Sequence, residues 1–257
     1  MICIDCKQDS IINLGNKQDF TYFRCPACGI IYTSPFYLYD YINQYKKDYY
    51  KTYAKMKSNT TDTKGRMDRW NRDLEISEER IKRVLSSIGD YKQLFWLDIG
   101  GYAGSMIRAS QKFNNLYMHV VEKNKLIVRW SRQYILNGNE KYQLHEYEDF
   151  DVLEVSTIPF DIISCYDVFE HFHDPVQEMV NISGTLKSGG LFIVEQPDPL
   201  SHDAISQGIN WKHIKPFEHL YLFSYKNFEK LFNRVNMKLI GYVSHMPGRM
   251  QIVGRKI

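Results

Sequence analysis

The sequence predicts an α/β fold: a doubly wound, mostly parallel seven-stranded sheet with an antiparallel closing strand, plus a small N-terminal cysteine-bound module. Three observations carry this reading. From residue 94 onward, short apolar runs alternate with amphipathic segments, which is the pattern of parallel strands joined by crossover helices. At 94–109 a strand-like run, LFWLDI, passes through the glycine turn GGYAG into a helix start, SMIRA. Near the N-terminus, the pairs Cys3/Cys6 and Cys25/Cys28 are each spaced Cys-x-x-Cys and are separated by 18 residues.

Four stretches follow from composition and periodicity. Residues 1–35 hold both cysteine pairs and form the ribbon module. Residues 36–91 divide into a Tyr/Lys-rich stretch, expected to be a helical lid, and a connecting helix at 71–91. In that helix Ile76, Ile81, Val84, Leu85 and Ile88 recur at helical spacing, and Gly89 stops it. Residues 92–257 form the main domain. Strands are expected at 94–99, 117–122, 142–146, 161–166, 190–195, 238–244 and 250–256, and helices at 104–114, 124–136, 175–186 and 225–235. The turn Met246-Pro247-Gly248 makes the last two strands an antiparallel pair at the sheet edge.

Bulk properties narrow the function. With 257 residues, 44% of them hydrophobic, the chain can bury one full core and a small accessory module. A net charge of +3 does not by itself point to nucleic acid or membrane. No apolar run approaches the ~18–20 residues of a membrane span, and MICIDCKQD lacks the layout of a signal peptide. A cytoplasmic location is expected. The oligomeric state is not legible.

The cysteine spacing is that of a zinc ribbon, with Cys3, Cys6, Cys25 and Cys28 holding one Zn2+. Four thiolates fill a tetrahedral shell, so the ion is expected to be structural. Cys165 stands alone on an inner strand and reads as core.

The cofactor expectation starts from Asp98. In dinucleotide sites the glycines lie under a pyrophosphate, which a carboxylate at the strand end repels. A cationic ligand without phosphate is attracted instead, and S-adenosylmethionine carries both an ammonium and a sulfonium. Asp98, Gly100, Gly101, Tyr102 and Gly104 are therefore expected to form its turn. Glu122, at the next strand tip, suits a ribose diol. Asp149 and Phe150 suit the adenine amino group and ring. The strand ending at Tyr166 reaches the methionine part.

In order, LDIGGYAGS, VVEKN, FDIISCYDVFEHFHDP, LKSGGLFIVEQPDP and HLYLFSYKNFEKLF resemble the Rossmann-like class I S-adenosylmethionine-dependent methyltransferases over about 94–257. Tyr102 stands where that family usually has glycine. A zinc-binding segment ahead of such a core is similar to the N-terminal and central parts of sugar C-methyltransferases. There a Glu-His pair before a Tyr/Leu-Phe-Ser segment supplies the base, and Glu218-His219 match it. The family's tyrosine three residues before the histidine is Pro216 here.

Methyl transfer is an in-line displacement, and an acceptor that carries a proton needs a base. His219 is the expected base, with Glu218 orienting it. His171 is a candidate contact to substrate or cofactor, and His173 and His213 are weaker candidates. Tyrosines at 37, 39, 41, 45, 49, 50 and 53 interleave with lysines at 46, 47, 51, 55 and 57, and Arg66, Arg69 and Arg72 follow. As a lid, that stretch favours a phosphorylated or nucleotide-linked small acceptor, of sugar or phosphoramidate type, as in surface-polysaccharide or secondary metabolism. RNA methylation is the alternative, with ribbon and basic stretch gripping RNA. Sugar C-methylation is a third reading, and a non-catalytic module that keeps the cofactor pocket is a fourth.

Overall fold

The computed structural model describes residues 2–9, 11–34, 63–102, 104–123, 125, 128–129, 132, 142–146, 159–172, 174–216, 218–246 and 248–257. The Tyr/Lys stretch at 36–57, most of the helix expected at 124–136, and Asp149, Phe150 and His173 lie outside them. Two sheets are present among the described residues. The smaller consists of β1 (Ile12–Lys17), β2 (Phe20–Arg24), β3 (Ile31–Ser34) and β9 (Tyr221–Leu222), all antiparallel neighbours in that order. The larger contains β4 (Leu94–Ile99), β5 (Leu116–Glu122), β6 (Tyr142–Glu146), β7 (Phe160–Tyr166), β8 (Leu186–Pro197), β10 (Met237–Met246) and β11 (Arg249–Lys256).

Its strand order is β10-β11-β8-β7-β4-β5-β6. The pairs among β4, β5, β6, β7 and β8 are parallel, and β11 runs antiparallel between β8 and β10. Side chains alternate across each central strand, and this alternation feeds two cores on opposite faces. On one face Trp96, Ile162 and Ile193 pack with Ile81, Val84, Met106 and Ile107. On the other, Leu97, Ile163 and Phe192 pack with Met179, Ile182, Phe228 and Phe232. So α1 (Thr63–Ile88) and α2 (Ser105–Ser110) cover one face, and α3 (Pro175–Thr185) and α5 (Tyr225–Arg234) cover the other.

The helix boundaries have local causes. α3 starts at Pro175 in its first turn, capped by Asp174, whose side chain accepts from the Gln177 N–H. α5 starts at a reciprocal Ser224/Asn227 capping box. Two expectations are corrected. α2 ends at Ser110, short of 114, because Lys112 and Phe113 N–H groups bond back to Ala109 and Ser110 in tight turns and Asn115 turns left-handed (φ 59°). α1 is longer than expected, and its buried face runs through Trp70, Leu74, Ser77 and Ile81, whereas Ile76 is exposed.

The cysteine-bearing segment is not free-standing. The core on the α3/α5 face contains Cys3, Cys25 and Cys28 beside Phe228 and Phe232. A third core joins Phe20, Tyr22 and Ile31 to Ala204, Trp211, Ile214 and Leu222, with α4 (His202–Gln207) alongside. β3 pairs with β9 directly, Asn227 Nδ2 donates to Asp5, and the Arg24 guanidinium donates to the Ala204 carbonyl at 2.6 Å. Among the described residues, no helix is long and apolar enough to cross a membrane.

Candidate functional site

At the N-terminal end, the four sulfurs of Cys3, Cys6, Cys25 and Cys28 lie within 4.8 Å of one another, and none is in a disulfide. Cys3 and Cys28 are 3.7 Å apart at sulfur, and Cys6 and Cys25 are 3.5 Å apart. Thiolates about 2.3 Å from a tetrahedral zinc stand about 3.8 Å apart, so this cluster can hold a metal with little movement. Burial pushes the thiols of Cys3 and Cys28 up. Metal binding there therefore releases protons. Cys165 is fully buried in the main core, in line with a packing role.

A second set of groups lies where the parallel strands end. The registers Asp98↔Val120 and Asp98↔Ser164 place the ends of β4, β5 and β7 side by side. Asp98 is buried, and its Oδ1 accepts from Ser164 Oγ at 2.6 Å. Ser164 in turn accepts from the Trp96 indole at 2.8 Å. Burial raises the Asp98 carboxyl to about 7, which the Ser164 hydrogen bond and Arg80 oppose and Glu122 reinforces. Glu122, at the tip of β5, accepts from the Tyr102 backbone N–H at 2.9 Å.

The glycine turn is tightly confined. Gly100 has φ +73° and abuts Val168, which leaves no space for a Cβ. A Cβ on Gly101 would fall 2.5 Å from Val120 and 2.9 Å from Asp98 Oδ2. Tyr102 keeps the left-handed conformation (φ 49°) that glycine adopts freely, at a cost of about 1–2 kcal/mol. The Glu122 hydrogen bond holds it there. Gly104, at φ 79°, leads into α2. The buried Tyr166 hydroxyl has no hydrogen-bond partner among the described residues. A backbone cradle that excludes side chains, a buried acid and an orphaned hydroxyl fit a small cationic cofactor such as S-adenosylmethionine.

A third cluster begins one residue after Val168. The turn Phe169–His171 places Glu170, 1% exposed, against His219, 4% exposed, with Glu170 Oε1 4.0 Å from His219 Nε2. His219 Nδ1 lies 2.8 Å from the His213 carbonyl, and His171 Nδ1 lies 2.6 Å from the Glu218 carbonyl. A carbonyl only accepts, so both Nδ1 atoms carry hydrogen, which in a neutral ring leaves the lone pair on Nε2. The His171 and His219 rings meet edge-on, with centroids 4.9 Å apart. Burial pushes the His219 imidazole well below its ordinary range, helped by His171 and Lys215.

Of the residues singled out by sequence, Asp98, Gly100, Gly101, Tyr102, Gly104 and Glu122 gather at one turn, and His171 and His219 at the adjacent one. Glu218 does not face the His219 ring. Its carboxylate lies 3.5 Å from Lys215 Nζ, and the carboxylate at His219 is Glu170. Glu218 and His219 lie in a turn whose N–H groups both bond back to the Lys215 carbonyl, and the turn sends the two side chains to different partners, which sequence proximity hides.

Sequence reasoning also missed Arg80. Its guanidinium lies 3.8 Å over the Tyr166 ring and donates to Glu195 at 2.7 Å. On a helix reading EERIKR it resembles one more solvated charge, and no local signal marks it. Arg249 of β11 also reaches Glu195, at 3.2 Å, and Asp167.

Comparison with known proteins adds the family context. A family model described as a methyltransferase domain matches residues 71–241. None of the curated protein sequences compared matches the chain. Among solved structures, the chain is similar to one in the complex of the Haloferax volcanii Trm112 methyltransferase activator with a putative methyltransferase. That match has TM-score 0.56 and 16% identity, over 72% of this chain and 93% of that one. It is also similar to an O-methyltransferase family protein from Burkholderia thailandensis (TM-score 0.56, 12% identity, 79% of this chain and 62% of that one). A third is an S-adenosylmethionine-dependent methyltransferase from Aquifex aeolicus (TM-score 0.52, 14% identity, 68% and 89%). At such identities the likeness is one of fold.

Proposed function

The chain belongs to the methyltransferase-domain family, and from that premise we propose that it moves the methyl group of S-adenosylmethionine to an oxygen or nitrogen of a small acceptor. One observation carries this reading. Val168 packs on the cofactor turn at Gly100, and the residues that follow it lead directly to Glu170, His171 and His219. The cofactor edge and a histidine pair thus share one end of the sheet.

When bound, S-adenosylmethionine supplies an electrophilic methyl on a sulfonium. As an acceptor took up that methyl by in-line displacement, His219 Nε2 would accept the acceptor's proton. Burial keeps the imidazole neutral at physiological pH, so its lone pair is available. Its Nδ1–H is fixed on the His213 carbonyl. Burial, reinforced by Asp167, holds the Glu170 carboxyl up at about 8, and an imidazolium formed on His219 4.0 Å away would favour its ionised form. Asp98 and Glu122 would hold the cofactor's cationic and ribose parts, with Tyr166 at its methionine end. The four-cysteine cluster takes Zn2+ in a structural role.

The acceptor we propose is phosphorylated or nucleotide-linked, of the kind consumed in surface-polysaccharide or secondary metabolism. The Tyr/Lys-rich run at 37–57 supports it. The test is transfer of labelled methyl from S-adenosylmethionine to a panel of nucleotide sugars, sugar phosphates and RNA, with product structure read by NMR. Label on an oxygen or nitrogen of a small acceptor is expected. Label on RNA, or a new carbon–carbon bond on a sugar, would replace this reading with the corresponding alternative.

Asp98 gives a pH signature. Its carboxyl titrates near 7 in the free protein, and a cationic ligand favours the ionised form, so binding below that pH expels a proton. Affinity for S-adenosylmethionine should rise up to about tenfold per pH unit below 7 and level off above it. Without ligand the sign reverses for folding, because a raised carboxyl contributes stability that is lost as pH rises through about 7. Calorimetry in buffers of different ionisation enthalpy measures the proton release. Asp98→Asn should flatten the profile, and a flat wild-type profile would contradict the assignment.

A further inference from the structure

We propose that Glu170, His171 and His219 form a second metal site, two histidines and one carboxylate, for a divalent transition ion such as Zn2+. One ligand atom from each of the three lies within 4.8 Å of the others. Ligands about 2.0–2.2 Å from a tetrahedral zinc stand about 3.4 Å apart, so shifts of about 1 Å or less bring them into a shell. Three protein ligands leave a fourth position open.

The surroundings are those of a prepared site. A ligating histidine ordinarily donates its other ring N–H to a carbonyl or carboxylate, which fixes the tautomer and orients the ring. Both histidines here do so, through the backbone carbonyls of His213 and Glu218. Glu170 Oε2 is buried and has no hydrogen-bond partner among the described residues, and an ion would satisfy it. His171 is only half-buried.

Occupancy has a chemical consequence. The Nε2 lone pair of His219 cannot bind an ion and accept a proton together, so a bound ion switches the base off. This consequence rests on the proposed role of His219. The site itself does not.

The test uses the full chain with the ion of its four-cysteine cluster in place. Zn2+ is titrated and counted by native mass spectrometry, and Co2+ is used as a spectroscopic probe. The wild type should carry about two equivalents in total, the second being the one a mild chelator removes. Cobalt in the second site should show ligand-field bands without thiolate charge transfer. Glu170→Gln and His171→Ala should weaken the second equivalent by at least about 100-fold while keeping the first, and retention of the thiolate-bound ion reports that the variants are folded. A total of one bound equivalent, or a second equivalent indifferent to both variants, overturns the site. Excess Zn2+ should inhibit turnover, and chelation should restore it. A second ion that binds as described without inhibiting leaves the site standing and overturns the use of His219 as base.

Discussion

His219→Ala should lower kcat by about 10²–10⁴-fold, or about 3–5 kcal/mol of transition-state stabilisation, the range of a general base. Affinity for S-adenosylhomocysteine should stay within about twofold, because the acids and glycines at the ends of β4 and β5 are untouched. The alanine variant alone leaves a cavity at a position only 4% exposed, so a second variant is needed. His219→Gln fills most of that space and can still donate to the His213 carbonyl, but it has no basic nitrogen. A structural role predicts recovery by Gln, whereas a base predicts loss in both. Single-turnover methyl transfer with protein free of the second ion measures the difference. Turnover within tenfold of wild type in either variant would remove His219 from the chemistry.

Cys25→Ser should lose the thiolate-bound metal and cost at least about 4 kcal/mol of stability, or about 10 °C in Tm. The effect should reach the whole chain. Cys3, Cys25 and Cys28 lie in the same core as Phe228 and Phe232, and Ser224, the cap of α5, donates its hydroxyl to the Cys28 carbonyl. The segment bearing His219 is tied in as well, since β3 pairs with β9 two residues further on and the Thr33 N–H donates to the Leu220 carbonyl. Calorimetry of wild type, variant and chelator-treated protein should therefore show one cooperative transition moving down. Two separate transitions, with the upper one unmoved, would mean that the cysteine segment is an independent appendage. Methyl transfer should fall alongside, because β9 positions the histidine.

These couplings mark where sequence reading stops. The strand–glycine–helix turn was legible because its cause is local. Gly100 and Gly101 admit no side chain, and the acid before them terminates an apolar run. The four cysteines were legible for a similar reason, since each pair closes a short knuckle whose spacing suits a shared metal ion. The alternation of strands and helices showed in hydrophobic period alone.

Glu170 was not legible as the partner of His219. The two are 49 positions apart, and the adjacent Glu218 offered a nearer but misdirected carboxylate. Arg80 was hidden on a charged helix face that looks solvated until Tyr166 and Glu195 are placed beneath it. β9 is two residues long and carries no strand signal of its own; it exists because β3 presents an open edge to it.

By itself the sequence determined what period, sterics and ligand spacing control: the α/β class, the glycine turn and the cysteine cluster. The tertiary structure alone decided which carboxylate faces which imidazole, and that the cysteine ribbon shares a sheet and a core with the segment bearing His219. Those contacts are set by packing between distant segments, where burial and the demand for paired polar groups, not local propensity, choose the partner.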